Sequence, residues 1–71
     1  MKAFLADRLT AREKQVVTCL SFGRTNKEIA TKLGISEQTV KNHFQSVFRK
    51  HHLYGAGSRL HLALQVHGAR I

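Results

Sequence analysis

The chain has 71 residues, enough for one small hydrophobic core but too few for a deep catalytic cleft. Its 12 Lys and Arg against four Asp and Glu leave a formal net charge of +8, a balance typical of proteins that bind a polyanion. A single cysteine, Cys19, excludes an internal disulfide framework. No segment has the apolar run of a membrane span or a signal peptide, so we expect a soluble, cytoplasmic protein.

The first predicted helix follows an N-terminal extension of residues 1–8, and the rest of the chain, 9–71, reads as one domain. Thr10 and Glu13 have the spacing of a capping box, in which each side chain accepts a hydrogen bond from the backbone of the other residue. The helix is therefore predicted over about 11–22, ending before Gly23. Its buried side is formed by Val16, Val17, Cys19 and Leu20.

The second predicted helix starts with the same box, Thr25 and Glu28, and runs over 26–33 to Gly34. Only three residues, ending in Ser36, separate it from the next helix. So short a connection requires a tight corner between two packed helices, which is a helix-turn-helix. Ala30 is small enough for close packing there, and Gly34 supplies the positive φ.

The third predicted helix, over 37–51, has two chemically different sides. Ser36 caps it and Glu37 lies in its first turn, where a carboxylate suits the positive end of the helix dipole. At about 100° per residue, the apolar side consists of Val40, Phe44, Val47 and Phe48. The opposite side consists of Gln38, Lys41, Asn42, Gln45 and Arg49. Cations and amides match the base edges in a DNA major groove, so this helix is the candidate reader of DNA.

The ordered motifs LTARE, NKEIA, LGIS and TVKNH, within residues 9–50, resemble the DNA-binding domain of the LuxR and GerE family of bacterial transcription regulators. The resemblance implies an all-α four-helix bundle whose third helix enters the major groove and whose fourth pairs two copies. It also implies a receiver or ligand-binding domain before this one in many members. The chain departs from the family at His51 and His52, where leucine and glycine are usual, and residues 54–58 form a longer corner than usual.

The resemblance also assigns roles to individual residues. Lys41, Asn42 and Gln45 match positions that reach base edges, and Gln38 lies on the same side of the helix. The candidates for phosphate contact are Thr25, Asn26, Lys27, Ser36, Thr39, His43, Arg49 and Lys50. For each of these residues the alternative is a solvated polar surface. The expected partners are double-stranded DNA, a second copy of the chain and RNA polymerase.

The fourth helix is predicted over 58–69 with Ser58 as its cap. One apolar side, expected to close the core against the first helix, consists of Leu60, Ala63, Leu64 and Ile71, with His67 beside them. The opposite side consists of Leu62, Val66 and Ala69. A monomer buries only one side of a terminal helix, so the second side predicts a homodimer contact. The alternative is three scattered apolar residues without a role.

Metal binding and catalysis are not expected. The five histidines lack a ligand spacing with cysteine or carboxylate partners, Cys19 has no local base, and no pair of carboxylates remains for acid and base chemistry. The main hypothesis is therefore a sequence-specific regulator of transcription without a cofactor. The alternative is a helical adaptor whose basic side binds an acidic protein. The DNA-anchoring tail of a recombinase would require a catalytic domain that these residues do not contain.

Overall fold

The architecture is that of an all-α helix-turn-helix domain. A computed structural model of the chain describes residues 8–53, 55 and 57–70, and of 66–70 only the helical backbone. These residues form four helices and no strand: α1 Ala11–Ser21, α2 Asn26–Leu33, α3 Glu37–Lys50 and α4 Ser58–Arg70. The predicted fold class is confirmed, and the helix bounds agree with the predicted ones to within one residue.

Each of the first three helices begins at its predicted cap. The Thr10 hydroxyl accepts from the Glu13 N–H (3.1 Å), and the Glu13 carboxylate accepts from the Thr10 N–H (2.9 Å). Thr25 and Glu28 form the same reciprocal pair, at 3.2 and 2.8 Å. The Ser36 hydroxyl accepts a hydrogen bond from the Thr39 N–H (3.0 Å) in the first turn of α3. These bonds satisfy helix-end donors that would otherwise lack partners, which is why the caps could be predicted from spacing.

The corner between α2 and α3 depends on Gly34. Its φ is +68°, in the left-handed region that glycine adopts without a Cβ clash. The next N–H, of Ile35, reaches back to the Ala30 carbonyl (3.0 Å) and closes the end of α2. Ala30 is buried where the two helices meet, and Val40 is fully buried on α3. The predicted helix-turn-helix is therefore confirmed.

The core is organised around the apolar side of α3. Val40, Phe44 and Val47 are buried there, and Phe48 stacks against Phe44 with ring centroids 5.9 Å apart. α1 contributes Val16, Val17, Cys19 and Leu20, α2 contributes Ile29 and Ala30, and the remaining buried apolar residues are Leu9, Leu53 and Leu62. Phe22, which follows the last residue of α1, is largely exposed.

The fourth helix is rotated relative to the prediction. The expected core residues Leu60 and Leu64 are 65% and 63% exposed, whereas Leu62, expected on the outside, is fully buried. The predicted core positions of Leu60 and Leu64 and the predicted outward position of Leu62 are therefore wrong, whereas Ala63 packs against the core as predicted. The side of α4 that faces the core contains both polar and apolar residues: Ser58, Arg59, Leu62 and Ala63. For this reason a stripe of apolar residues alone predicted the wrong orientation of the helix. The side chains of Val66, His67 and Ala69, and all of Ile71, lie outside the described residues.

Ser58 does not cap α4 in the predicted way. It is the first residue of the helix, and its hydroxyl donates back to the Gly55 carbonyl (2.8 Å). The Gly57 carbonyl accepts from the His61 N–H (2.9 Å), so Gly57 stands at the cap position. The two glycines have φ values of +89°, and this corner sets the direction in which α4 leaves α3.

The end of α3 places a histidine in a backbone conformation that favours glycine. His52 has a φ of +55°. The Leu53 N–H donates to the Phe48 carbonyl (2.8 Å) and the His52 N–H to the Arg49 carbonyl (3.1 Å), which is a Schellman motif with His52 at its left-handed position. A Cβ at this φ costs on the order of 1 kcal/mol.

We expect His52→Gly to raise the free energy of unfolding by about 0.5–1 kcal/mol, because the left-handed strain disappears while both backbone hydrogen bonds remain. Urea unfolding measures the change. His51→Gly is the control, since His51 has a φ of −103° and glycine brings no relief there. An unchanged or lower stability of His52→Gly would contradict the interpretation.

Candidate nucleic-acid interface

The outer side of α3 presents a continuous row of hydrogen-bonding side chains. Gln38, Lys41, Asn42, Gln45 and Arg49 are all exposed, as predicted. They lie opposite the buried apolar side on a helix of 14 residues, about 21 Å long at the standard rise. Packing of the apolar side leaves the polar row directed at solvent, so it is available to a ligand outside the domain.

Two amides of this row are joined to each other. Gln38 Nε2 donates to Asn42 Oδ1 over 3.0 Å, one turn along the helix. The pair leaves Gln38 Oε1 as an acceptor and Asn42 Nδ2 as a donor, one turn apart on the exposed surface. An acceptor beside a donor is the combination that complements N6 and N7 of adenine in the major groove.

The N-terminal ends of α2 and α3 carry most of the residues predicted to contact phosphate. Thr25 and Lys27 are exposed at the start of α2. At the start of α3, the Ser36 and Thr39 hydroxyls lie 2.8 Å apart. Helix N-termini attract anions through their unsatisfied N–H groups and the helix dipole. Of the other candidates, Arg49 is exposed and His43 is half-buried.

An open cleft of about 390 Å³ lies along the outer side of α2 and is predominantly basic. Its lining consists of Arg24, Lys27, Glu28, Thr31 and Lys32. Hydrogen bonds from the backbone and side chain of Thr25 lower the pKa of Glu28, so this carboxylate remains ionised. Three cations against one carboxylate leave the cleft positive, and it extends the cationic surface away from α3.

The structure engages Lys50 inside the molecule. Its Nζ donates to Glu13 Oε1 over 2.7 Å, and the Glu13 carboxylate is almost fully buried. The Lys50 side chain is 33% exposed, and this bond uses one of the three N–H groups of the ammonium, so the contact of Lys50 with phosphate stays a prediction. Burial by itself raises the pKa of Glu13, but hydrogen bonds from Lys50, Ser46 and the Thr10 amide outweigh it and lower the pKa to about 2.

Arg59 was not among the residues predicted to have a functional role. This residue of α4 is half-buried, and burial lowers its pKa. Its Nη1 donates to Asn26 Oδ1 (2.6 Å), and its Nη2 donates to the Arg24 carbonyl (2.9 Å). The guanidinium carbon lies 4.8 Å from the centroid of the Phe44 ring. An arginine at the start of an amphipathic helix resembles any surface cation, so no local signal identified it.

A sequence profile described as GerE, bacterial regulatory proteins of the luxR family, matches residues 7–65, most of the chain. The chain belongs to this family. The resemblance inferred from LTARE, NKEIA, LGIS and TVKNH is thereby confirmed. As a luxR-family domain with a helix-turn-helix, it is a DNA-binding module of transcription regulators, and the family is not a class of enzymes.

The luxR-family domain is similar to parts of several longer regulators. It is 44% identical over 62 residues to the nitrate/nitrite response regulator protein NarP of Escherichia coli, covering 87% of this chain and 29% of NarP. It is 46% identical over 43 residues to the transcriptional activator RamA of Corynebacterium glutamicum, covering 61% of the chain and 15% of RamA. It is 51% identical over 43 residues to the regulatory protein YhcZ of Bacillus subtilis, covering 61% of the chain and 20% of YhcZ. The chain therefore spans less than a third of the length of each.

Two other findings concern the described residues as a whole. None of their helices combines the length and apolar character needed to cross a membrane. Among the same residues, no three His, Cys, Asp or Glu side chains are grouped closely enough to hold a metal ion.

Because of the Glu13–Lys50 pair, we expect this luxR-family domain to lose stability at acid pH. Because folding lowers the pKa of Glu13 from 4.5 to about 2, the contribution of this carboxylate is fully present above about pH 4.5 and is lost as the pH falls through 2. We expect Glu13→Gln to lower the free energy of unfolding by about 1–3 kcal/mol at pH 7, with the difference from the wild type shrinking towards pH 2.

Urea unfolding between pH 7 and 2 measures this effect. Glu37→Gln is the control, since Glu37 is exposed in the first turn of α3. A difference between Glu13→Gln and the wild type that is the same at pH 7 and pH 2 would show that the ionised carboxylate is not the cause.

Proposed function

We propose that this luxR-family domain binds double-stranded DNA sequence-specifically, with α3 in the major groove and two copies on an inverted repeat, and so regulates transcription. The observation that carries the proposal is the exposed row of cations and amides on α3, directly opposite the side that packs in the core. A helix that is held rigidly on one side and hydrogen-bonds on the other suits the width and chemistry of the major groove.

Base recognition would come from the outer row. Lys41, in the second turn of α3, is a donor suited to guanine O6 and N7. Gln45, one turn further on, has both a donor and an acceptor for an adenine edge. The Gln38–Asn42 pair offers a second acceptor and donor, held in register by its own hydrogen bond of 3.0 Å. Orienting both amides before DNA arrives lowers the ordering cost of the contact.

Phosphate contacts would set the position of α3 in the groove. The candidates are exposed or half-buried polar residues: Thr25, Asn26, Lys27, Ser36, Thr39, His43, Arg49 and Lys50. Thr25 and Lys27 are exposed at the start of α2, where the helix N-terminus favours an anion. Contacts of this kind carry affinity and register rather than sequence preference.

The dimer contact would use the exposed side of α4. Leu60 and Leu64 lie one turn apart on the same side, and each is more than 60% exposed. A second copy brings an identical pair of leucines, which makes a self-complementary apolar contact about a twofold axis. Two domains related by such an axis match two half-sites in inverted orientation.

The remaining proposals concern the protein as a whole. Its relatives are three or more times longer than this chain, so an input domain and a contact with RNA polymerase are proposed on the basis of the family. Action on chromosomal DNA would place the protein in the bacterial cytoplasm.

We expect Lys41→Ala to raise the dissociation constant for a duplex selected from a random DNA pool by roughly 5- to 150-fold, equivalent to about 1–3 kcal/mol. It should also relax the preferred base at one position of each half-site, since the lost donor reads that base. Fluorescence anisotropy on duplexes that vary at single positions measures both effects.

Two lysine variants are matched controls for this experiment. Lys14→Ala removes an exposed cation from α1 and should change little. Lys27→Ala should weaken all duplexes about equally and reduce the slope of log K against log salt by about 1. If unrelated duplexes bind the wild type equally well, or Lys41→Ala weakens all of them alike, base reading is wrong. The basic adaptor would then be the better description.

We expect the double variant Leu60→Ser, Leu64→Ser to lose cooperative binding to an inverted repeat while keeping its affinity for a single half-site. The reason is that both leucines are exposed in the monomer, so their loss removes apolar contact only between copies. Sedimentation equilibrium and titration of one-site and two-site duplexes measure the effect.

Leu62→Ala is the control, because Leu62 is buried within one copy. It should lower the free energy of unfolding by about 2–5 kcal/mol, in contrast to the serine variants. A wild type that fills the two half-sites independently would contradict the dimer.

A further inference from the structure

Arg59 joins three parts of the molecule through one side chain. From the first turn of α4 it reaches Asn26, the first residue of α2, and the carbonyl of Arg24 in the chain that leads into α2. Its guanidinium also lies over the ring of Phe44, on the buried side of α3. The planar fork of an arginine can serve two acceptors and an aromatic ring at once, which a lysine cannot do.

The contact with Arg59 determines which way the Asn26 carboxamide faces. A guanidinium has only donors, so the Asn26 atom 2.6 Å from Nη1 is the carbonyl oxygen Oδ1. The NH₂ group is then on the side of the amide away from Arg59. Asn26 lies between Thr25 and Lys27, at a helix end already suited to an anion. An amide turned the other way would present its oxygen to a phosphate and repel it.

We propose that Arg59 is a positioning residue for DNA binding, which holds the Asn26 carboxamide with its NH₂ group towards a DNA phosphate. The inference rests on the proposed function and adds a residue of α4 that touches no DNA itself. Half-burial of Arg59 and the engagement of both terminal nitrogens leave the guanidinium committed to the protein. The effect on DNA therefore passes through Asn26.

A double-mutant cycle between Arg59→Met and Asn26→Ala tests the proposal, with binding to the selected duplex measured well below the unfolding temperature of each variant. We expect each single change to weaken binding roughly 3- to 10-fold, as for the net loss of one hydrogen bond. The double variant should bind about as weakly as either single variant, because both changes remove the same phosphate contact.

Salt dependence distinguishes positioning from direct contact. An arginine that itself neutralises a phosphate contributes about 0.9 to the slope of log K against log salt. Arg59→Met should leave that slope and the base preference unchanged, whereas Lys27→Ala should reduce the slope. A reduced slope for Arg59→Met would overturn the proposal in favour of a direct ion contact.

Arg59→Lys keeps the test decisive if Arg59→Met folds poorly. The lysine retains the charge over Phe44, but a single ammonium has no fork to serve both Asn26 and the Arg24 carbonyl. We expect near-wild-type stability with binding weakened and with a reduced effect of Asn26→Ala. An effect of Asn26→Ala that is equally large with arginine, lysine and methionine at this position would overturn the inference, as would no effect of Asn26→Ala at all.

These outcomes are separate from failure of the proposed function. If the wild type prefers no duplex, sequence-specific binding itself is wrong, whatever residue occupies position 59. If the wild type selects a sequence and the two changes are additive, DNA recognition stands and only the role of Arg59 falls.

Discussion

Burial of the apolar side of α3 is the constraint on which the other features depend. Val40 and Val47 are fully buried and Phe44 nearly so. Because successive residues of a helix are about 100° apart, burying this side decides where every other side chain of α3 points. Lys41 and Gln45 are exposed for that reason alone. A partner of this domain therefore meets donors and acceptors that are attached at fixed positions on a packed helix.

Three of the four carboxylates lie at the starts of helices, which leaves the surface mostly cationic. Glu13, Glu28 and Glu37 all lie in the first turn of a helix. The Glu13 and Glu28 carboxylates accept hydrogen bonds in capping boxes, and Glu13 also forms an ion pair with Lys50. With these three carboxylates at helix starts, the net charge of +8 is left for an external anion. The same bonds that start the helices therefore favour a polyanionic partner.

The fourth helix has two sides with different proposed tasks. Arg59 and Leu62 turn inward, towards α3 and the core. Leu60 and Leu64 turn outward, where a second copy can cover them. Because Arg59 and Leu60 are adjacent in the first turn, the proposed dimer contact lies directly behind the residue that positions Asn26. Assembly of two copies and anchoring of each on DNA would then depend on the same turn of helix.

The local features can be predicted from the amino-acid sequence: three caps, the left-handed corner at Gly34, the helix bounds to within one residue, and the polar and apolar sides of α3. Each depends on neighbours within a few positions, so spacing is sufficient evidence. The family motifs lie within the same residues, 9–50, which is why the family was evident before the fold was known.

The rotation of α4, the pairing of Lys50 with Glu13 and the contacts of Arg59 follow from how the helices pack in three dimensions. The rotation depends on how the chain enters α4, and an apolar stripe cannot indicate direction when the inward arc also holds Ser58 and Arg59. The ion pair and the two hydrogen bonds of the Arg59 guanidinium join residues 33 to 37 positions apart. Contacts at that separation form because the helices pack in one particular arrangement. The spacing of residues along the chain does not indicate which Lys or Arg will bond to another part of the protein.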